Sequence, residues 1–180
     1  MKATGIVRRI DDLGRVVIPK EIRRTMRIRE GDPLEIYTSP EGEVIFRKYS
    51  ALGEMSENAA QVADIMHRLA GCTVAVFDRD RVVAASGAPK KELPDRRISP
   101  ELEQLMENRR AYCAAEGAPR LHPAEGLPRT AFACMPILTA GDVTGAVAFL
   151  DPPDEVTMPT DLQRSLISAA AQFLGRQMED

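Results

Sequence analysis

Four cations near the start of the chain stand at helical spacing. Lys20, Arg23, Arg24 and Arg27 recur at i, i+3, i+4 and i+7, so a helix through them carries one basic side. Ile22 and Met26 fall on roughly the opposite side. A basic face opposite an apolar anchor is what contact with phosphates requires. The charge balance points the same way. Residues 1–29 hold nine Lys/Arg and three Asp/Glu, a local +6, in a chain whose formal net charge is −3. A merely solvated face needs no such segregation, whereas a nucleic-acid contact leaves this footprint. Aromatics make up 4% of the chain and Trp is absent. That weighs against binders of single strands, which stack bases on aromatic platforms.

Other chemistry finds less support. Cys72, Cys113, Cys134 and His122 are the residues a metal site would draw on, but none of their spacings is that of a structural zinc site. Cys72 and Cys134 fall in apolar runs, where cysteine behaves as a small core residue. Cys113, beside a loop, is the one candidate for a reactive thiolate. The chain has no phosphate-cradling glycine loop, no metalloprotease HExxH and no GxSxG elbow. Asp11/Asp12 and Asp78/Asp80 read as turn formers. No cofactor and no metal is expected.

The elements that must position the arginines are short. Residues 5–10 and 15–18 read as strands around a turn at 11–14, with Pro19 at the first position of a helix over 20–26. Two helical turns are too few to stand alone in water. Residues 34–38 alternate at period 2, and 43–48 read as the strand after a turn at 39–42. A unit of about fifty residues is too small to bury a sufficient core, so dimerisation is expected.

Residues 51–180 carry a net −6 against +3 for residues 1–50, a poor surface for DNA. They predict a helix to residue 70 with a stripe of Val62, Ile65, Met66 and Leu69, then strands over 72–77 and 81–85. A loop over 88–97 leads to a helix from the Ser99 cap to about 109. A short strand at 111–115 is followed by an irregular, Pro- and Gly-rich stretch over 116–129, then strands over 130–138 and 143–150. Thr160 and Gln163 make a capping box for a last helix, whose stripe is Leu162, Leu166, Ile167, Ala170, Phe173 and Leu174. No run of 18 apolar residues exists, and neither a membrane span nor a secretory signal is expected. Three scattered cysteines suit a reducing compartment, so a cytoplasmic location is expected.

Gly5-Ile6-Val7-Arg8, Asp12-Leu13-Gly14-Arg15-Val16-Val17-Ile18-Pro19, Glu21-Ile22-Arg23-Arg24, Gly31-Asp32 and Leu34-Glu35-Ile36 make a long ordered motif. By it, residues 1–50 resemble the AbrB-type swapped-hairpin DNA-binding domain. Residues 51–180 resemble a small GAF domain in element order, in Met135-Pro136-Ile137 and in Gly145-x-x-x-Phe149. The pairing is similar to that of the stage V sporulation protein T family.

The resemblance implies an α+β chain. An N-terminal interleaved swapped-hairpin β-barrel dimer is followed by a GAF-like domain with a central antiparallel sheet and helices packed on one face. It implies a sequence-specific regulator of sporulation genes that binds double-stranded, A/T-rich promoter DNA, acting as activator or repressor. Arg8, Arg15, Arg23 and Arg24 fall on the DNA-contacting positions of the family; Lys20 and Arg27 join them from helical spacing. Arg9 lies opposite Arg8 by strand parity. A homotetramer through helices 51–70 and 160–178 is expected.

GAF resemblance also implies an unidentified small-molecule ligand under the 86–99 and 113–130 segments. Ser86, Cys113 and Phe132 are candidate pocket residues. The signature of cyclic-nucleotide-binding GAF domains is absent. Two rival readings are a cysteine-based methionine sulfoxide reductase fused to a DNA-binding module, and an antitoxin that binds both DNA and a toxin.

Overall fold

The computed structural model describes residues 4–89 and 91–179 and divides the chain into two compact units, Met1–Tyr49 and Ser50–Asp180. In the first unit the basic helix α1 spans Lys20–Thr25. Strands β1 (Leu34–Thr38) and β2 (Val44–Lys48) form an antiparallel hairpin that pairs Leu34 with Lys48 and Thr38 with Val44. The Lys48 ammonium closes its base, donating to the Arg27 carbonyl at 2.9 Å and lying 3.4 Å from the Asp32 carboxylate.

Residues 5–10 and 15–18 differ from expectation. The turn between them forms, but among the described residues the flanks carry no ladder beyond the rung from the Asp11 N–H to the Arg15 carbonyl at 3.0 Å. Strong β-propensity needs a neighbouring strand to be realised. The apolar side chains of these flanks stand exposed, Val7 at 87% and Val17 at 72%.

The second unit is a five-stranded antiparallel sheet. Its strands are β3 (Thr73–Asp78), β4 (Val82–Ser86), β5 (Tyr112–Cys113), β6 (Ala131–Thr139) and β7 (Asp142–Leu150), in the order β4-β3-β7-β6-β5. All six residues of β3 are buried, as befits a strand covered on both faces. The short helix α2 (Ala51–Glu54) opens the unit. The Ser50 hydroxyl caps it, accepting from the Gly53 N–H at 3.0 Å and donating to Asp78 at 2.9 Å. Asp78 in turn accepts the Asp80 and Arg81 N–H groups, which is the turn role expected of it.

Helices α3 (Ser56–Ala70) and α5 (Asp161–Gln177) pack over one face of the sheet, around Val74, Val76, Phe132, Ile137, Val147 and Phe149. The opposite face is covered too, which departs from the one-sided expectation. There α4 (Pro100–Glu107) supplies Leu102 and Met106, and the loops supply Leu93, Ile98, Leu121, Ala124 and Leu127.

Cap chemistry sets the helix ends. Ser99 Oγ accepts from the Leu102 N–H, and Thr160 with Gln163 forms the full reciprocal capping box. The predicted stripes are rotated. On α3 the buried residues are Ala59, Val62 and Ala63, while Ile65 and Leu69 face outward. On α5 the buried residues are Ile167, Ala170, Ala171 and Leu174, while Leu162 (62%) and Phe173 (51%) are exposed. Small residues face the sheet because the backbones approach closely. A Cβ on Gly175 would lie 2.2 Å from the Leu138 carbonyl oxygen.

Candidate nucleic-acid interface

The basic hairpin is built on Asp11. Its Oδ1 accepts the N–H groups of Leu13 (3.0 Å) and Arg15 (2.8 Å), and its main-chain carbonyl accepts Gly14 N–H at 3.0 Å. Gly14 sits at φ +76°, the left-handed conformation the turn needs and glycine adopts at no steric cost. Asp11 Oδ2 accepts Nε of the Arg15 guanidinium at 2.8 Å. The Arg15 N–H and then its guanidinium hold the Asp11 carboxyl below the usual carboxylate range. The Arg15 side chain remains 70% exposed. Arg8 and Arg9 are exposed on the preceding flank.

Helix α1 begins after Pro19, which serves as N-cap rather than as first helical residue and is itself buried. Lys20, Arg23 and Arg24 are exposed, and Arg23 Nε donates to the Ile18 carbonyl at 3.2 Å. The helix ends in a Schellman motif: Ile28 N–H bonds the Arg23 carbonyl at 2.8 Å and Arg27 N–H the Arg24 carbonyl at 3.2 Å. Arg27 occupies the left-handed position of that motif at φ +51°. Arg27 therefore does not share the helical face with Lys20, Arg23 and Arg24, because the chain has left the helix one residue earlier. It is half-buried, and Met26, the expected apolar anchor, is exposed, which leaves Ile22 as the half-buried one.

None of the buried hydrophobic residues among those described lies in the first unit. Ile6, Val7, Ile10, Leu13, Val16, Val17, Ile36, Val44 and Phe46 are all exposed there. The basic surface thus sits on a unit that leaves most of its apolar side chains exposed.

The second unit does not bring Ser86, Cys113 and Phe132 together. Phe132 is 1% exposed and packs under the helices with its ring centroid 6.1 Å from that of Phe149. Ser86 and Cys113 lie on opposite edge strands, about 19 Å apart across four strand spacings. The 86–99 and 113–130 segments do meet, through the Ile98–Ala124 bridge and a near-buried ion pair that sequence spacing could not reveal. Arg129 Nε donates to Glu92 Oε1 at 2.5 Å and Nη2 to Oε2 at 3.2 Å. Burial pushes the Cys72 and Cys134 thiols up to about 12, far from a reactive thiolate at neutral pH. Among the described residues no three His, Cys, Asp or Glu side chains are grouped to hold a metal ion, and no helix is long and apolar enough to cross a membrane.

A basic turn-and-helix unit is thus followed by a unit built on a five-stranded antiparallel sheet. Residues 54–179 match the family described as stage V sporulation protein T C-terminal, transcription factor. Residues 7–52 match the one described as antidote-toxin recognition MazE, bacterial antitoxin. Stage V sporulation protein T of Bacillus subtilis (strain 168) is 45% identical over 181 residues, covering 99% of each chain. The transition state regulatory protein AbrB of the same organism is 49% identical over 69 residues, 35% of this chain and 71% of that one. Among solved structures, the PixJ GAF domain of Thermosynechococcus elongatus, in its blue-light absorbing form, aligns with a TM-score of 0.54 at 18% identity. It covers 73% of this chain and 89% of that one, a likeness of fold alone. The chain belongs to the stage V sporulation protein T family.

Proposed function

We propose that this protein is a transcription regulator that binds double-stranded DNA through its first unit and assembles through its second. The observation that carries the reading is the exposed basic surface at the N-terminus, on a chain of overall negative charge that belongs to a transcription-factor family. Arg8, Arg15, Lys20, Arg23 and Arg24 make the contact. Arg27 adds charge beside it rather than a place on the helical face. The targets are sporulation genes with A/T-rich promoters, read by groove shape and deformability as well as by base edges. DNA as partner and three free thiols support a cytoplasmic location.

The uncovered apolar side chains of the first unit support an obligate dimer with exchanged hairpins. The outward Ile65, Leu69, Leu162 and Phe173 support a second interface along α3 and α5, and hence a tetramer. The second unit acts as an assembly domain and not as an enzyme. Burial holds two of its three thiols protonated at neutral pH, and its sheet faces are filled by the side chains of its own helices and loops. A small-molecule effector, if bound, would shift the spacing of the DNA-binding dimers. The antitoxin reading rests on residues 7–52 alone, whereas the relative matched over 99% of the chain is named for sporulation.

The test is fluorescence anisotropy of an A/T-rich duplex titrated with the full-length protein at two salt concentrations. Arg23→Ala/Arg24→Ala should weaken binding strongly and flatten its dependence on salt, by about one unit of log-log slope for each phosphate no longer neutralised. A folded double variant with unchanged affinity and slope would remove α1 from the interface.

A further inference from the structure

The sequence offers Asp11 as a turn former, and the turn alone would not need its second carboxylate oxygen. Oδ1 already serves the Leu13 and Arg15 N–H groups. Oδ2 goes to the Arg15 side chain instead, and takes it by Nε, the inner nitrogen of the guanidinium. The terminal nitrogens, Nη1 and Nη2, have no partner among the described residues, and the side chain is 70% exposed. A long flexible cation is thus held by its inner edge with its outer edge offered to solvent. A negative charge also stands on the surface that must approach phosphates.

We propose that Asp11 is a positioning and specificity residue of the DNA contact, one that holds Arg15 so that the terminal edge of its guanidinium faces the duplex. This rests on the DNA-binding reading above. A free arginine satisfies any phosphate within reach and carries no sequence information. A held fork matches two acceptors at fixed spacing, such as the O6 and N7 of a guanine or one defined pair of phosphate oxygens. Fixing the side chain beforehand also removes ordering entropy otherwise lost on binding. The carboxylate opposes docking by charge on any sequence alike, and the held guanidinium repays that cost only where two acceptors match its fork. Asp11 acts through Arg15 and touches no base itself.

Two substitutions separate the turn from the hold. Asp11→Asn keeps an amide oxygen for the Leu13 and Arg15 N–H groups, but turns a donor toward Arg15 Nε and removes the charge. Asp11→Ala removes both roles. Full-length wild type and variants are titrated against a duplex enriched by the wild-type protein from a random pool, and against a scrambled duplex of the same composition. Asp11→Asn should melt as the wild type does and bind the scrambled duplex at least as tightly. Its ratio of the two affinities should fall about three- to tenfold for a dimer, the scale of losing one exposed ion pair per protomer. The fall should vanish in an Arg15→Ala background, since Asp11 works through that side chain. Asp11→Ala should lower both affinities together with the melting temperature. A ratio within about twofold of wild type in folded Asp11→Asn overturns the proposal, as does a fall that persists without Arg15. Wild-type protein that binds neither duplex overturns the DNA-binding reading itself, and this inference with it.

Discussion

Among single residues, Arg27 shows how local geometry overrides spacing. Counting by 3.6 puts it beside Lys20, Arg23 and Arg24, yet the Schellman closure of α1 places it in the left-handed region. That position favours glycine, and holding an arginine there costs roughly 1 kcal/mol. Arg27→Gly is therefore expected to leave the fold as stable or slightly more so. It should also reduce DNA affinity less than Arg24→Ala, whose side chain lies on the exposed helical face. Thermal melting and anisotropy on the same samples check both halves. A larger loss for Arg27→Gly than for Arg24→Ala would return Arg27 to the centre of the contact.

At the scale of elements, α5 fits closely against the end of β6 in the second unit. Gly175 lies in the last turn of α5, and a Cβ there would stand 2.2 Å from the Leu138 carbonyl oxygen with Ile137 close behind. Alanine is the better helix former by about 1 kcal/mol. Overpacking against backbone costs about 1–3 kcal/mol and has no flexible side chain to absorb it. Gly175→Ala should consequently lower the unfolding midpoint of the second unit in urea, and a midpoint raised by the substitution would mean that α5 sits farther from β6 than described. The same close approach explains the rotated stripes. Alanines and glycine face the sheet where backbones nearly touch, and the larger Leu162 and Phe173 are left on the outer side.

For the whole molecule the question is what covers the apolar surface each unit leaves open. The first unit contributes no buried hydrophobic residue among those described, and a second copy is the proposed source of the rest of its folding free energy. A transition that depends on association moves with protein concentration by mass action. The transition assigned to residues 1–49 should rise in temperature as concentration is raised over two decades, while the core of the second unit melts independently of it. Replacing Ile65 and Phe173 together by Asp should convert the proposed tetramer to a dimer by sedimentation velocity. The DNA affinity of one dimeric head should survive. A tetramer that persists in that variant would place the second interface elsewhere.

Much of this protein was determined by sequence alone, because it depends on neighbours in the chain. The capping box at Thr160 and Gln163, the Ser99 cap, the turn at Asp11–Gly14 and the strands of the second unit are local matters of hydrogen-bonding groups and period. The basic motif of the first fifty residues and its family likeness are properties of order along the chain. Tertiary structure decided what depends on residues far apart. It sent Phe132 under the helices and put Ser86 and Cys113 on opposite edges of the sheet, which removes them as one pocket. It paired Arg129 with Glu92 across 37 positions and covered both faces of the sheet. Asp11 lies between the two cases: its spacing of four residues from Arg15 is visible in the chain. Which oxygen meets which nitrogen is not, because a turn fixes the backbone while the direction of a side chain is settled only in three dimensions.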